Sequence, residues 1–385
     1  MKSVGLCIVY KNYNYGSILQ SYATLIKLKY MGYSFEIIRY NPLKNIQFYV
    51  KAIPRLMNRD MIYGKIRTLK RKVGKKTHPE FAVVDNIRME KFQQFVESHF
   101  SPFSKIIYNY KELHEYTKRF TDVLVGSDQL WLPSGLGTNF YNLMFVPENI
   151  NKIAYSASFG VSQIPFFQKR KTKEFLERID HLSVREQSGA KIIKELIGKD
   201  VPVILDPTMI IDRSVWDKNI PDERLVDENY IFCYFLGNNP WQREEVKKLA
   251  EEKKMKIVVL KHLDEYIPED ENFGDIAPYD IGPAEFVNLI RHARYVCTDS
   301  FHGSVFSILY HKQFISFNRY GDGQNSRNSR LDTLFHNIGI SRRFSDNLIR
   351  EIDEKIEWDN VELHITELRK KSSQFIENAL IDFDQ

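Results

Sequence analysis

The residue best placed for chemistry in this 385-residue chain is His302, within Arg294-Tyr-Val-Cys-Thr-Asp-Ser-Phe-His-Gly-Ser304. Tyr295 to Cys297 is a short apolar run that reads as a buried strand. Thr298, Asp299 and Ser300 are turn and cap formers, and Phe301 to Tyr310 then reads as an amphipathic helix. His302, Gly303 and Ser304 therefore sit at a strand-to-helix switch. Unpaired backbone N–H groups and the helix dipole favour an anion there. A histidine at that point can move protons near neutral pH. The expectation is a phosphate or carboxylate substrate with acid–base chemistry beside it; the plain alternative is a packed core histidine.

Four other stretches carry candidate groups. Asn14 and Gly16 lie in Asn12-Tyr-Asn-Tyr-Gly-Ser17, where a first strand enters a first helix. Gly16 permits a tight turn, although neither a GxGxxG nor a P-loop spacing is present, and a plain turn would look the same. Asp122-Val-Leu-Val-Gly-Ser-Asp-Gln-Leu-Trp131 delivers Asp128 and Gln129 at a strand's carboxyl end, where they could bind a sugar's hydroxyls while Trp131 stacks on its apolar face. An Asp that caps its own turn is the alternative. Arg185 ends the strand in Ser183-Val-Arg-Glu-Gln-Ser-Gly189 and offers bidentate recognition of an anion, or else pairs with Glu186 at the surface. Arg319, Arg327 and Arg330 flank a glycine-rich polar loop that could close over an anion or be a solvated connection.

The elements that must position these groups alternate strand and helix. Val4 to Tyr10 is a strand, Ser17 caps a helix from Ile18 to about Met31, and Phe35 to Tyr40 is the next strand. Further strands are expected at Asp122 to Val125, Lys152 to Ser156, His181 to Val184 and Val201 to Leu205. Ile211 to Glu228 is polar and reads as a connection. A second α/β run follows from Tyr230, ending in a long helix from Val361 to Asp382. This predicts two Rossmann-like domains, 1–215 and 216–385, facing a central crevice, with a C-terminal helix. Ligands in such sheets bind beyond the carboxyl ends of the strands.

Composition narrows the class. No apolar run reaches the roughly 18–20 residues of a membrane span. The N-terminus lacks a signal-peptide pattern, so a cytoplasmic protein is expected. Cys7, Cys233 and Cys297 lie far apart in apolar runs, which predicts buried thiols, no disulfide framework and no metal site. The net charge of +5 hides an asymmetry. Residues 43–79 contain eleven lysines and arginines against one acid, Asp60, a local +10 that leaves −5 elsewhere. This argues against a general nucleic-acid-binding surface. The segment's apolar residues, Ile62, Ile66 and Leu69 among them, could form one face of a helix. Such a segment suits the anionic inner face of a plasma membrane, or is a solvated helical insertion.

Seven stretches together resemble the polysaccharide pyruvyl transferase family. They are Tyr13-Asn-Tyr-Gly-Ser-Ile-Leu-Gln-Ser-Tyr-Ala23, Val125-Gly-Ser-Asp-Gln-Leu-Trp131, Ile153-Ala-Tyr-Ser-Ala-Ser-Phe-Gly160, Leu182-Ser-Val-Arg-Glu186, Leu205-Asp-Pro-Thr208, Gly282-Pro-Ala-Glu-Phe286 and Thr298-Asp-Ser-Phe-His-Gly303. The resemblance implies a fold like that of two-domain GT-B glycosyltransferases. It implies transfer of pyruvate from phosphoenolpyruvate to two hydroxyls of a glycan sugar, giving a cyclic ketal, with no cofactor. The family's histidine matches His302, its strand-end arginine matches Arg185, and Arg319 matches more loosely a later basic residue. The basic insertion departs from compact members of the family.

Phosphoenolpyruvate carries a phosphate and a carboxylate, so the expected donor groups are Arg185, Ser300, the Gly303 amide and the arginines at 319, 327 and 330. His302 would protonate the enol carbon. Asn14, Gly16, Asp128, Gln129 and Trp131 would face a glycan or lipid-linked oligosaccharide acceptor. Two other functions fit the same scaffold. One is a nucleotide-sugar glycosyltransferase with its base pocket near Phe235 to Pro240; the other is a non-catalytic glycan-binding or scaffold protein.

Overall fold

The computed structural model describes residues 3–43, 59–263, 266–319 and 329–381. Arg327 and the part of the basic insertion at 44–58 lie outside them. Two all-parallel sheets organise the chain. The first has the strand order β3-β2-β1-β4-β5-β6, the second β10-β9-β7-β8. In the first sheet β1 is Ser3–Cys7, β2 Ser34–Tyr40, β3 Phe103–Ile107, β4 Asp122–Val125, β5 Asn151–Ala157 and β6 His181–Val184. In the second β7 is Tyr230–Tyr234, β8 Lys256–Val259, β9 Tyr295–Thr298 and β10 Gln313–Ser316. β1, β4, β5, β7 and β9 have hardly an exposed residue, as expected of parallel strands covered by helices on both faces.

Each sheet has a place where strand order reverses: β1 beside β4 in the first, β7 beside β9 in the second. The chain leaves adjacent strands in opposite directions at such a point, and the carboxyl ends open a crevice. The two crevices face each other across contacts between the halves. The Tyr15 hydroxyl donates to the Ile281 carbonyl at 2.8 Å, and the Tyr15 ring stacks on Phe286 with centroids 4.7 Å apart. Trp216 wedges between Tyr22 and Phe306. Aromatic contacts of this kind add about 0.5–1.5 kcal/mol each beyond area burial.

Several local expectations need correcting. The first helix is Tyr15–Tyr30 and its cap is Asn14, whose side-chain oxygen accepts from the Ser17 amide at 3.1 Å. Ser17 lies within the first turn. Val201 to Leu205 makes only a single bridge, Val203 to Val184, and is not a strand. β3 and the helix Tyr110–Thr117 after it have no counterpart in the pattern read from sequence. The polar connection contains a helix, Arg213–Asn219, capped by Asp212. The terminal helix, Trp358–Ile381, runs back to the first sheet. There the Ala379 carbonyl accepts from Asn151, and the Ser372 hydroxyl accepts from the Leu205 amide. The three cysteines are buried thiols, pushed above their ordinary range by burial. No helix among the described residues is long and apolar enough to cross a membrane.

Candidate active site

The facing carboxyl ends enclose a cavity of ≈ 580 Å³. Its wall is built mostly from strand ends and the loops that follow them: Val9 to Asn12 and Asn14 after β1, Tyr40 and Pro42 at the end of β2, Asp128 to Leu130 and Leu132 after β4, Leu236 after β7, Ser300 to His302 after β9 and Arg319 after β10. Ser17, Thr138, Phe140, Tyr141 and Arg330 complete it.

His302 stands in the first turn of the helix Phe301–Leu309, buried but on the cavity wall. Its ring lies flat against Gly16 from the other half. A Cβ at position 16 would stand 1.9 Å from the His302 Nδ1, so only glycine allows this approach. The other ring nitrogen, Nε2, is 3.6 Å from the Asp206 Oδ2. Asp206 follows the bridge at Val203 and caps the short helix Pro207–Ile210, accepting from the Thr208 amide at 3.0 Å and its hydroxyl at 2.6 Å through Oδ1. Its Oδ2 accepts from Ser127 at 2.9 Å and from the Arg185 Nη1 at 2.5 Å. Burial pushes the Asp206 carboxyl up. The nearby charges of His302 and Arg185, with the hydrogen bond from the Thr208 hydroxyl, outweigh that and hold it far below the usual carboxylate range. Asp206 is thus a buried carboxylate shared by a histidine and an arginine.

Arg185 does not line the large cavity. It lies one layer below, beside a small void it shares with Phe301 and Asp206, with the Phe301 ring 4.6 Å from its guanidinium carbon. Its Nε and Nη2 are buried without a hydrogen-bond partner among the described residues. The alternative of an Arg185–Glu186 surface pair fails because both are buried. Glu186 instead accepts from the Ser158 hydroxyl and the Phe159 amide, and burial raises its carboxyl above the ordinary value. Arg330 reaches the same Phe301 ring from the cavity side, at 5.6 Å. Burial first, then the nearby charges of Arg185 and Arg319, pulls its guanidinium down to about 9, so it is still charged at neutral pH. Arg319 lines the cavity and donates to the Asp299 carbonyl at 3.0 Å. Arg319 and Arg330 bring positive charge to the cavity, with Arg185 beneath them, and an anion there would relieve their mutual repulsion.

Asp128 adopts a left-handed backbone, φ 85°. This is rare outside glycine and tolerated best by Asp and Asn. The turn aims its carboxylate at the Ser17 hydroxyl, with the Arg185 Nη2 3.8 Å away. Gln129 lines the cavity beside it, with its side chain against Gly160. Asn14 lines the cavity as well as capping its helix.

Two expected contacts take other forms. Trp131 is fully buried; its indole N–H donates to the Tyr141 carbonyl at 3.0 Å and its ring packs on Phe159 and Phe175, so it is core and not a stacking platform. The Gly303 amide is taken by the Ser300 hydroxyl, which caps the helix, at 3.3 Å. Gly303 is a glycine because a Cβ there would meet the Thr298 hydroxyl at 2.6 Å. Asp299, beside them, accepts from the amides of Leu236 and Gly237 at 2.7 and 2.8 Å and fixes the loop after β7. Ser300 itself reaches the cavity.

Sequence reasoning overlooked Asp206 as a site residue. Its signal was the Asp-Pro-Thr at 206–208 after an apolar run, a helix-start pattern at the rim of the sheet. Nothing in the spacing shows that the carboxylate would meet His302, almost a hundred residues on.

Comparison with known proteins bears on the fold and the family. A search of curated proteins returned no match. Among solved structures, the chain is similar to UDP-N-acetylglucosamine 2-epimerase from Rickettsia bellii, with a TM-score of 0.53, 9% identity, and 99% of this chain and 97% of that one covered. The Neisseria meningitidis UDP-GlcNAc 2-epimerase bound to UDP-GlcNAc gives 0.51, 10% identity, 99% and 100%. Arabidopsis thaliana UGT89C1 complexed with UDP-L-rhamnose gives 0.51, 11% identity, 99% and 98%. At such identities the likeness shows the fold, which is the two-domain GT-B arrangement. The family model described as polysaccharide pyruvyl transferase matches residues 14–320, from the cap of the first helix through the loop after β10. With that match spanning most of its length and both walls of the cavity, the chain belongs to the polysaccharide pyruvyl transferase family.

Proposed function

We propose that the protein transfers pyruvate from phosphoenolpyruvate to two hydroxyls of a glycan sugar, forming a cyclic ketal. The observation that carries this is the junction of His302, backed by Asp206, with the buried Arg330 and the half-buried Arg319 in one cavity. The donor's phosphate and carboxylate suit Arg330 and Arg319, with the Ser300 hydroxyl alongside. Arg185 acts from below as a positioning residue, holding Asp206 and supporting Phe301.

The chemistry balances on one histidine. With its Nε2–H directed at Asp206, His302 presents Nδ1 to the donor. The imidazolium gives its proton to the methylene carbon of the enol, making a methyl group and leaving positive charge on the adjacent carbon. A sugar hydroxyl attacks that carbon and returns a proton to the imidazole. Phosphate departs with its bonding electrons, and its growing charge is met by the arginines. The second hydroxyl closes the ring as its proton passes to phosphate. Two hydroxyl protons thus end as one on the methyl and one on the phosphate. Asp128 and Gln129, with Asn14, orient the acceptor from the first half of the chain.

A nucleotide-sugar donor on the same scaffold is the rival reading. The stretch from Phe235 to Pro240, where its base would sit, is used internally: the Leu236 and Gly237 amides bond Asp299, and the Gly237 carbonyl accepts from Arg243. The deciding experiment offers both donors with added glycan. Phosphate release from phosphoenolpyruvate that depends on the glycan supports pyruvyl transfer. Nucleoside diphosphate release with no phosphoenolpyruvate turnover rejects it.

A further inference from the structure

The helix Arg59–Thr77 buries one side and has on the other an apolar stripe that the described residues leave uncovered. On the inner side Gly74 meets the Tyr266 Cβ, and Arg71 and Lys75 both pair with the buried Asp85 of the next helix, Pro79–His99. On the outer side are Ile62, Ile66, Leu69 and Val73, 46%, 45%, 62% and 52% exposed. Their spacing of four, three and four residues sets them in one line along the helix. Lys70, Lys72 and Lys76, all exposed, fall on the two borders of that line. The helix holds eight basic residues and one acid, a net +7. A solvated helix has no reason to expose four branched aliphatic side chains in register, and a nucleic-acid contact would not need them. Aliphatic stripe and lysine borders together are the pattern of a helix lying in a bilayer interface.

We infer that this helix docks flat on an anionic lipid bilayer, with the 62–66–69–73 stripe among the acyl chains and the flanking lysines at the headgroups. Charge decides between this occupant and two others. Segment 44–58 carries Lys44, Lys51 and Arg55 and no acid, so it would add positive charge to the patch if it covered it. A second copy of the chain would set the same positive face against itself. Only a negative surface complements the stripe and its borders at once. The placement also makes sense of the route of the chain, which passes from the cavity wall at Tyr40 and Pro42 directly into the basic segment. The inference concerns adhesion and stands apart from which donor the cavity uses.

The test is co-sedimentation of the full-length protein with vesicles of phosphatidylcholine, alone or mixed with phosphatidylglycerol. Binding is expected only with the anionic lipid and should weaken as salt is raised. The triple change Lys70→Glu, Lys72→Glu, Lys76→Glu should reduce it on the order of a hundredfold. Ile66→Asn with Leu69→Asn should also abolish it while the melting temperature is unchanged, since both residues are exposed. The native cysteines are buried, so Leu69→Cys can carry an environment-sensitive fluorophore. That label should read polar in buffer and apolar on anionic vesicles. Equal binding to both vesicle types, or none, overturns the inference. So does a label that is apolar before lipid is added, which would mean that residues 44–58 cover the stripe, or a dimer that the Asn changes dissociate.

Discussion

His302 and Asp206 are a pair whose parts have separable tests. Replacing His302 by Ala removes the only histidine on the cavity wall among the described residues. Glycan-dependent phosphate release should fall about 10²–10⁴-fold, with the melting temperature nearly unchanged. Asp206→Asn differs because it strips the carboxylate from a buried charge cluster and leaves Arg185 unpaired. Breaking such a pair costs about 3–5 kcal/mol, read as a lower midpoint in urea. The sign of its pH dependence follows from the direction of the shift. Asp206 is held below its ordinary value, so its stabilisation is complete above the ordinary carboxylate value, about 3.9, and is lost as pH falls through the depressed one. Between pH 5 and 9 the stability gap between wild type and Asp206→Asn should therefore stay constant. A gap that shrinks with falling pH inside that window would show that Asp206 is not held low.

At the scale of elements, the first βα turn and the helix after β9 must fit together to place His302, and Gly16 is where they touch. Gly16→Ala sets a methyl group in the space of the imidazole. The ring must tilt, and a displacement near 1 Å costs about a hundredfold in rate. The expected signature is a fall in kcat with little change in urea midpoint, the reverse of Trp131→Ala. That change hollows the core between β4 and the helix Phe166–Arg178 and should cost about 3–5 kcal/mol in urea titration. The same residues explain what could be read from sequence. The strand ends that deliver His302, Asp128 and Arg185 were legible, because a parallel strand followed by a cap and a helix leaves a local pattern. The fate of each side chain beyond its strand was not. Trp131 and Gly303 sit in the right loops but turn to the Tyr141 carbonyl and the Ser300 hydroxyl, contacts set by packing from other elements. Ser17 reads as a cap, yet Asn14 takes that place and frees the serine hydroxyl for Asp128.

For the whole molecule, the two sheets were visible as two tandem runs of alternation, and the crevice followed from the rule for strand ends. What no local pattern carries is the long-range closure: Asp206 beneath His302, Phe301 between Arg185 and Arg330, and Tyr15 pinned to Ile281. Apart from Phe301–Arg330, those contacts cross the cleft and join residues from about a hundred to almost three hundred positions apart. Tyr15→Phe removes one of them and should cost about 1 kcal/mol of stability. The central claim is that this cleft builds a pyruvate ketal with His302 as its proton carrier. Its most direct test is mass spectrometry of a glycan acceptor incubated with phosphoenolpyruvate and the purified protein, wild type or His302→Ala. The account predicts a glycan that gains one pyruvate as a ketal, with one phosphate released for each ketal formed, from the wild type alone. An unmodified glycan with the wild type, or the same ketal from His302→Ala at an undiminished rate, would contradict it.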